Sequence, residues 1–127
     1  MEKGYLVRHA KDVVPTPCPC GSSTRIFTHS DGPVANVHVT HIQDSRRHYH
    51  NELTEIYYIL EGRGAMELGD DTVPVEPGVA IMIGKHTPHR GSGDFKALIV
   101  GVPAWHPEDE HLADASEPTR GGDGETA

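Results

Sequence analysis

The residues best suited to chemistry lie in two segments, which read HYHNELTEIYYILEG and PGVAIMIGKHTPH. The first contains His48 and His50, one residue apart, with Glu55 beyond a short turn, and the second ends on His89. Histidines at alternate positions of a β-strand project from the same face, so both rings can reach one ion. Imidazoles and a carboxylate together suit a divalent transition metal, with Fe, Mn, Ni, Co, Cu and Zn all compatible. The sequence therefore predicts one such metal ion per chain.

Four protein ligands do not fill the coordination sphere of an octahedral ion. About two positions would remain for water, dioxygen or substrate. Catalytic sites keep positions open in this way, whereas structural sites are closed by protein ligands. The ligand set therefore favours metal chemistry on a small organic molecule over a purely structural ion.

Both segments resemble the paired motifs of the cupin superfamily. The matching positions are His48, His50, Glu55 and Gly62 in the first motif, and Gly78 and His89 in the second. Four positions differ: Ile42 stands where the first motif has its leading glycine, and Gly84, His86 and Gly93 stand where the second motif has proline, glycine and asparagine. The resemblance covers roughly residues 34–102. It implies an all-β fold, the double-stranded β-helix or jelly-roll barrel of cupins, with the three histidines and the glutamate as metal ligands.

Short apolar or alternating runs separated by turn residues extend through most of the chain, which is typical of an all-β protein. A chain of this length is expected to form one domain. Residues 1–106 are assigned to it, and the motif core spans about 34–102. The predicted strands are Tyr5–Arg8, Thr24–Thr28, Ala35–Ile42, Ser45–His50, Glu55–Glu61, Gly64–Leu68, Thr72–Val75, Ala80–Ile83, His89–Ser92 and Phe95–Val102.

Alternation along these strands predicts which side chains face the barrel interior. Arg46 shares a face with His48, and Tyr57 shares a face with Glu55, so both are candidates for substrate contact. An inward arginine needs an acidic substrate or a carboxylate as its partner. A surface position for Arg46 and a core position for Tyr57 stay open as alternatives. The last predicted strand contributes three interior side chains, Phe95, Ala97 and Ile99.

Two further histidines have open roles. His86 lies shortly before His89, and it is interpreted as a ligand, a residue at the rim of the pocket or a surface residue. His38 lies on an alternating strand, where it forms part of the pocket wall or is a structural histidine. The sequence alone does not choose between these roles.

The C-terminal segment, residues 107–127, is acidic. Seven acidic residues against Arg120 give it a charge of −6, which leaves −2 of the net charge of −8 for the rest of the chain. The segment is rich in small and polar residues and cannot bury enough apolar surface to offset chain entropy, so it is predicted to be a disordered tail. The nearly neutral remainder predicts no binding to nucleic acid.

Cys18 and Cys20 flank Pro19, and residues so close together rarely form a good disulfide, so a loop with two reduced thiols is expected. Reduced thiols, a first segment without an apolar leader and no run of about 18 apolar residues predict a cytoplasmic protein without a membrane segment. The cupin resemblance implies a homodimer. The predicted strand Tyr5–Arg8 would extend the sheet of the partner, because pairing removes an exposed edge.

Three classes of function fit a small metal-binding cupin. Oxygenases bind substrate and dioxygen at open metal positions, whereas isomerases, epimerases and lyases use the metal as a Lewis acid. A third class only binds a small ligand. The complete ligand set predicts a metal-dependent enzyme acting on a small organic substrate. Oxidoreductase chemistry of the oxygenase type is placed slightly ahead of the Lewis-acid reactions, with ligand binding as a further alternative.

Overall fold

The computed structural model describes Met1 and residues 3–113, which form strands and short 3-10 turns. The turns are Ala10–Asp12, His29–Asp31 and Pro107–Asp109. The strands are β1 (Thr16–Cys18), β2 (Gly21–Phe27), β3 (Asn36–Asp44), β4 (His48–Tyr49), β5 (Thr54–Leu68), β6 (Asp71–Val75), β7 (Ala80–Ile83), β8 (His89–Val102) and β9 (His111–Leu112).

All pairings in this sheet are antiparallel, and β8 is its central strand. Strand β8 pairs with β3, β4 and β5, while β5 also pairs with β6 and β7. Strands β1 and β2 continue from β3, and β9 continues from β4. The sheet curls into a barrel, which confirms the predicted all-β jelly roll. None of the helices in the described residues is long and apolar enough to cross a membrane.

The barrel interior is an apolar core. Phe95, Ala97 and Ile99 of β8 are buried, as predicted from alternation along that strand. Lys96 lies between them and reaches Glu61 on the outer surface. The other members of the core come from four strands: Ile42, Tyr57, Ile59, Met66, Val75 and Ile83.

Strand β5 runs without a break through Gly62, where the sequence predicts a turn between two strands. The φ angle of Gly62 is 84°, and a Cβ at this position would collide with the carbonyl oxygen of Asp94 on β8. Glycine therefore permits a close approach of two long strands here, and the chain does not reverse. In the same way, the two strands predicted over 89–102 are one strand, β8.

The predicted strand Tyr5–Arg8 is wrong, because residues 5–9 form no strand. Instead, the Arg8 guanidinium donates two hydrogen bonds to the Asp31 carboxylate, at 2.6 and 2.7 Å, and one to the Ile26 carbonyl oxygen. These bonds anchor the segment to its own barrel. The homodimer stays a prediction, now without the edge strand on which we based its geometry.

The first part of the predicted tail is folded. Residues 107–109 form a 3-10 turn, and β9 pairs with β4 in the register His48↔Leu112 and Tyr49↔His111. The Asp109 side chain is buried, with 1% of its surface exposed. The boundary at residue 107 is therefore too early, because hydrogen bonds to the chain beside β4 hold this short segment in place. The rest of the predicted tail, from residue 114, lies outside the described residues.

Cys18 and Cys20 form a disulfide, in contrast to the expected pair of reduced thiols. They lie at the hairpin between β1 and β2, where Cys18 pairs with Gly21 and the two Cα atoms are 5.1 Å apart. The hairpin thus brings the two cysteines within bonding range despite the intervening proline.

Candidate metal centre

Four side chains from separate parts of the chain converge in one largely buried cluster. His48 lies on β4 directly opposite His89, the first residue of β8, while His50 follows β4 and Glu55 lies near the start of β5. Their potential ligand atoms all lie within 4.8 Å of one another. The structure therefore brings together all four residues predicted from the sequence, and the group could hold a metal ion.

The orientation of each histidine ring is fixed by a backbone carbonyl oxygen. The Nδ1 of His48 lies 2.9 Å from the Arg46 carbonyl oxygen, and the Nδ1 of His89 lies 2.9 Å from that of Thr87. The His50 Nδ1 lies 2.8 Å from the carbonyl oxygen of Asp109. Because a carbonyl oxygen only accepts, each Nδ1 donates a proton, and each neutral ring has its lone pair on Nε2. Such bonds commonly orient histidines that bind metals.

The atoms that face one another in the cluster lack hydrogen-bond partners. His50 Nε2 and His89 Nε2 lie 3.3 and 3.1 Å from Oε1 of Glu55. All three atoms are buried, and none has a hydrogen-bond partner among the described residues. Nitrogen lone pairs and a carboxylate oxygen in such contact repel one another unless a proton or a metal cation lies between them. The donor set therefore fits a divalent metal, for which nitrogen and oxygen ligands are suitable.

The electrostatics of the metal-free cluster follow from burial and from these contacts. Burial, with the nearby His89 and His50 adding to the effect, lowers the pKa of His48 to about 3. For Glu55, burial favours the neutral acid, but the imidazoles of His50 and His89 outweigh it and hold the pKa well below its usual range. Burial lowers the pKa of His50, but Glu55 more than compensates, so that its pKa is raised overall. Glu55 is thus an anion in this cluster.

A cavity of about 220 Å³ opens beside the cluster. His48 and Glu55 form part of its wall together with both predicted contact residues, Arg46 and Tyr57. Tyr57 is buried, whereas Arg46 is exposed at the mouth. Burial raises the pKa of Tyr57 well above its usual value, with Glu55 and Glu110 adding to the effect, so the phenol keeps its proton. The space suits a small organic molecule.

The two histidines with open roles have different positions. His86 lies outside the cluster, with Nδ1 2.9 Å from the amide oxygen of Asn51, and its backbone nitrogen donates to the His50 carbonyl oxygen at 2.6 Å. It thus supports the turn after β4. His38 lines the cavity, so its pocket-wall interpretation matches the structure. Burial lowers the pKa of His38 to about 4, with a contribution from Arg25.

Sequence analysis missed two residues beside the site, Arg25 and Asp109. Arg25 and Trp105 line the cavity, with the guanidinium carbon 5.0 Å from the centre of the indole ring. Alternation along β2 was the available signal for Arg25, because Ser23 and Arg25 share a face. Nothing in the local sequence marks Asp109, which belongs to the segment assigned to the tail.

The family model for the cupin domain matches residues 36–102. Since this match covers more than half of the chain and the fold is a cupin-type barrel, the protein belongs to the cupin family. Among curated proteins, an L-ectoine synthase of Teredinibacter turnerae is 36% identical over 101 residues, which are 74% of this chain and 76% of that protein. The uncharacterized protein MJ1618 of Methanocaldococcus jannaschii is 40% identical over 70 residues, 52% of this chain and 54% of that protein. The chain thus spans about half the length of this second relative.

Two solved structures illustrate the likeness of fold. A protein from Planctomyces limnophilus has a TM-score of 0.80 and 31% identity, with 85% of this chain and 96% of that chain covered. Pac13 of Streptomyces, described as a nucleoside dehydratase, has a TM-score of 0.75 and 17% identity, with 89% and 97% covered. At this identity, the second likeness concerns the fold alone.

Proposed function

We propose that this protein is an enzyme that holds one divalent metal ion with His48, His50, Glu55 and His89 and acts on a small organic substrate. One observation carries the proposal: the buried Nε2 atoms of His50 and His89 face Oε1 of Glu55 without partners among the described residues. Buried polar atoms are rarely left unpaired, and those that are point to an ion or to function. The open cavity beside them distinguishes the site from a closed structural one.

Within the enzyme classes that fit, we place Lewis-acid lyase or dehydratase chemistry ahead of oxygenation. This reverses the order favoured by the sequence, and the support is that a relative 36% identical over three quarters of its length is named as a synthase, L-ectoine synthase, and not as an oxygenase. A divalent ion in this site would polarise a substrate oxygen and stabilise negative charge that develops on it. This ranking of the two reaction classes rests on similarity to a relative, so the reaction class has a test of its own below.

The residues of the chain supply the rest of the site. Tyr57 keeps its proton because its pKa is raised, so its hydroxyl can donate a hydrogen bond to a substrate oxygen in the cavity. His38 is neutral at neutral pH because its pKa is lowered. A neutral imidazole can accept a proton from substrate or donate one, according to its tautomer. Apolar walls, including Ile42 and Ile99, limit the access of water.

Metal binding is tested first, on protein purified without an affinity column. Inductively coupled plasma mass spectrometry is expected to find about one divalent metal ion per chain, and the loss of any one ligand histidine should reduce it strongly. The proposal would be overturned if wild-type protein held much less than one metal ion per chain and this content did not rise after incubation with Fe, Mn, Co, Ni, Cu or Zn.

The reaction class is tested with a mixture of small metabolites extracted from bacterial cells. Metal-loaded protein is incubated with the extract in air and under anaerobic conditions, and substrates and products are identified by mass spectrometry. We expect a product that differs from its substrate by one water and forms equally in both conditions. The Tyr57→Phe variant should form it more slowly. A product that gains one or two oxygen atoms only in air would show an oxygenase instead.

A further inference from the structure

The cavity is lined by a half-buried cationic side chain that the candidate metal cluster does not use. Arg25 on β2 is directly opposite His38 on β3, and the register continues through Ile99 of β8 to Tyr57 of β5. All four residues line the cavity. This row of side chains therefore connects Arg25, across four neighbouring strands, to the strand that carries Glu55.

Arg25 lacks a carboxylate partner, although part of its guanidinium is buried. Its Nε atom is buried without a hydrogen-bond partner among the described residues, and no described carboxylate forms an ion pair with it. An unpaired buried donor costs free energy, and more so when the group is charged. Arg8, in contrast, has its carboxylate in Asp31. The buried Nε atom of Arg25 thus needs an acceptor oxygen in the cavity, and the positive charge of the guanidinium favours an anionic one.

The guanidinium is held in place by a fixed aromatic ring. Its central carbon lies 5.0 Å from the centre of the Trp105 ring, within the range of a cation–π contact. The Trp105 backbone nitrogen donates to Oδ1 of Asn36 at 2.6 Å, and Nε1 of its indole donates to Oε1 of Glu110 at 3.0 Å. These bonds fix the ring and with it the position of the guanidinium before any ligand arrives.

Charge in the cavity also favours an anion. Two carboxylates line it, Glu55 and Glu110, of which Glu55 belongs to the metal cluster and Glu110 accepts the bond from Trp105. Two arginines, Arg25 and Arg46, line it as well. Together with a divalent ion, the arginines outweigh the two carboxylates. An anion that enters the cavity therefore meets a net positive charge.

We propose that Arg25 binds an oxyanion group of the substrate, a carboxylate or a phosphate, while another part of the same molecule reaches the metal cluster. This inference rests on the proposed function and names its substrate class: small molecules with an anionic group at one end. A planar guanidinium forms two parallel hydrogen bonds with a carboxylate or phosphate, which an ammonium group cannot match. Arg25, and not the exposed Arg46, is thus the specificity-determining cation.

The test uses the fluorescence of Trp105, which is the sole tryptophan of the chain. Metal-loaded protein is titrated with succinate, with inorganic phosphate and with the neutral analogue succinamide. We expect the fluorescence of Trp105 to change saturably with succinate, with phosphate or with both. Succinamide should leave the fluorescence unchanged. For whichever anion wild type binds, the Arg25→Gln variant should show at least roughly tenfold lower affinity, as expected for a lost charged hydrogen bond. Arg25→Lys keeps the charge, and its affinity for the anion should lie between those of wild type and Arg25→Gln.

Controls separate this inference from the metal site. Arg63→Gln removes an arginine that pairs with Glu76, neither of which lines the cavity, and it should leave anion binding unchanged. Metal content and circular dichroism of Arg25→Gln should match wild type, so that a failure of the metal site is recognised separately. Equal anion binding by wild type and Arg25→Gln, a loss confined to Arg46→Gln, or no binding of either anion by wild type would overturn the proposal.

Discussion

The Nδ1 atom of His50 lies 2.8 Å from the backbone carbonyl oxygen of Asp109, so a residue of the C-terminal segment orients a ring of the candidate metal cluster. The buried carboxylate of Asp109 accepts hydrogen bonds from the backbone nitrogens of Asn51, at 2.8 Å, and Glu52, at 3.1 Å. A single residue therefore supports both the ring and the turn that follows it. Asp109 acts through His50 and is a positioning residue.

Replacement of this carboxylate should weaken both the fold and the metal site. In Asp109→Ala, two backbone N–H groups lose their acceptor, which should lower the free energy of unfolding by about 2 kcal/mol. Metal affinity, measured by competition with a chelator under native conditions, should fall roughly tenfold because the turn that carries His50 loosens. The exposed Glu108→Ala is the matched control and should retain wild-type affinity. Wild-type metal affinity in Asp109→Ala would show that the turn holds its position without the carboxylate.

Single ligand substitutions should remove the metal without unfolding the barrel. We expect His48→Ala, His50→Ala and His89→Ala each to bind much less than one metal ion per chain, because one donor is lost while the apolar core is unchanged. Metal content and far-ultraviolet circular dichroism provide the two measurements. His86→Ala is the control, since His86 bonds to Asn51 and lies outside the cluster. Full metal content in His89→Ala together with a loss in His86→Ala would assign the ligand to His86.

The glycine within β5 should be intolerant of a side chain. Gly62 has a positive φ, and a Cβ there would meet the Asp94 carbonyl oxygen and the Cα of Phe95 on β8. Gly62→Ala should therefore lower the free energy of unfolding by about 2 kcal/mol or more. In Gly84→Ala, the new Cβ meets no atom within 4 Å, so the free energy of unfolding should change little. Chemical denaturation measures the free energy of unfolding of both variants. Equal stability of the two variants would contradict the close approach of β5 and β8.

His38 should make the protein more sensitive to acid. Burial lowers its pKa to about 4, and Arg25 lowers it too, while Glu55 acts in the opposite direction. The unfolded chain takes up this proton near the ordinary value of about 6.5. Stability from the neutral ring is thus present above pH 6.5 and is lost as the pH falls toward 4.

The variant His38→Gln cannot take up this proton. Relative to wild type, its free energy of unfolding should therefore increase as the pH is lowered from 7 to 4. The comparison uses metal-loaded protein of both forms, so that protonation of the ligand histidines affects them equally. A difference between variant and wild type that is constant over this range would show that His38 does not titrate in the expected manner.

Strand alternation together with the cupin motifs was sufficient to predict that these four side chains come together. His48 and His50 project together from one short segment, and Glu55 follows across one turn. The predicted strand Ala80–Ile83 was also confirmed, because Pro77 and Gly78 bound an apolar run clearly. Local signals were weaker at the ends of the chain, where the predicted strand over residues 5–8 was wrong and β1 and β9 were not found.

Other contacts were decided by tertiary structure alone. Asp109 meets His50 from 59 positions away, and Arg25 meets Trp105 only because the sheet curls and the chain after β8 returns across the cavity. Neither contact leaves a periodic pattern in the sequence, since each depends on where two distant segments meet. Alternation along one strand fixes the side to which a residue points. Closure of the barrel fixes which residues share the enclosed space, and it therefore determines which cation faces a ligand.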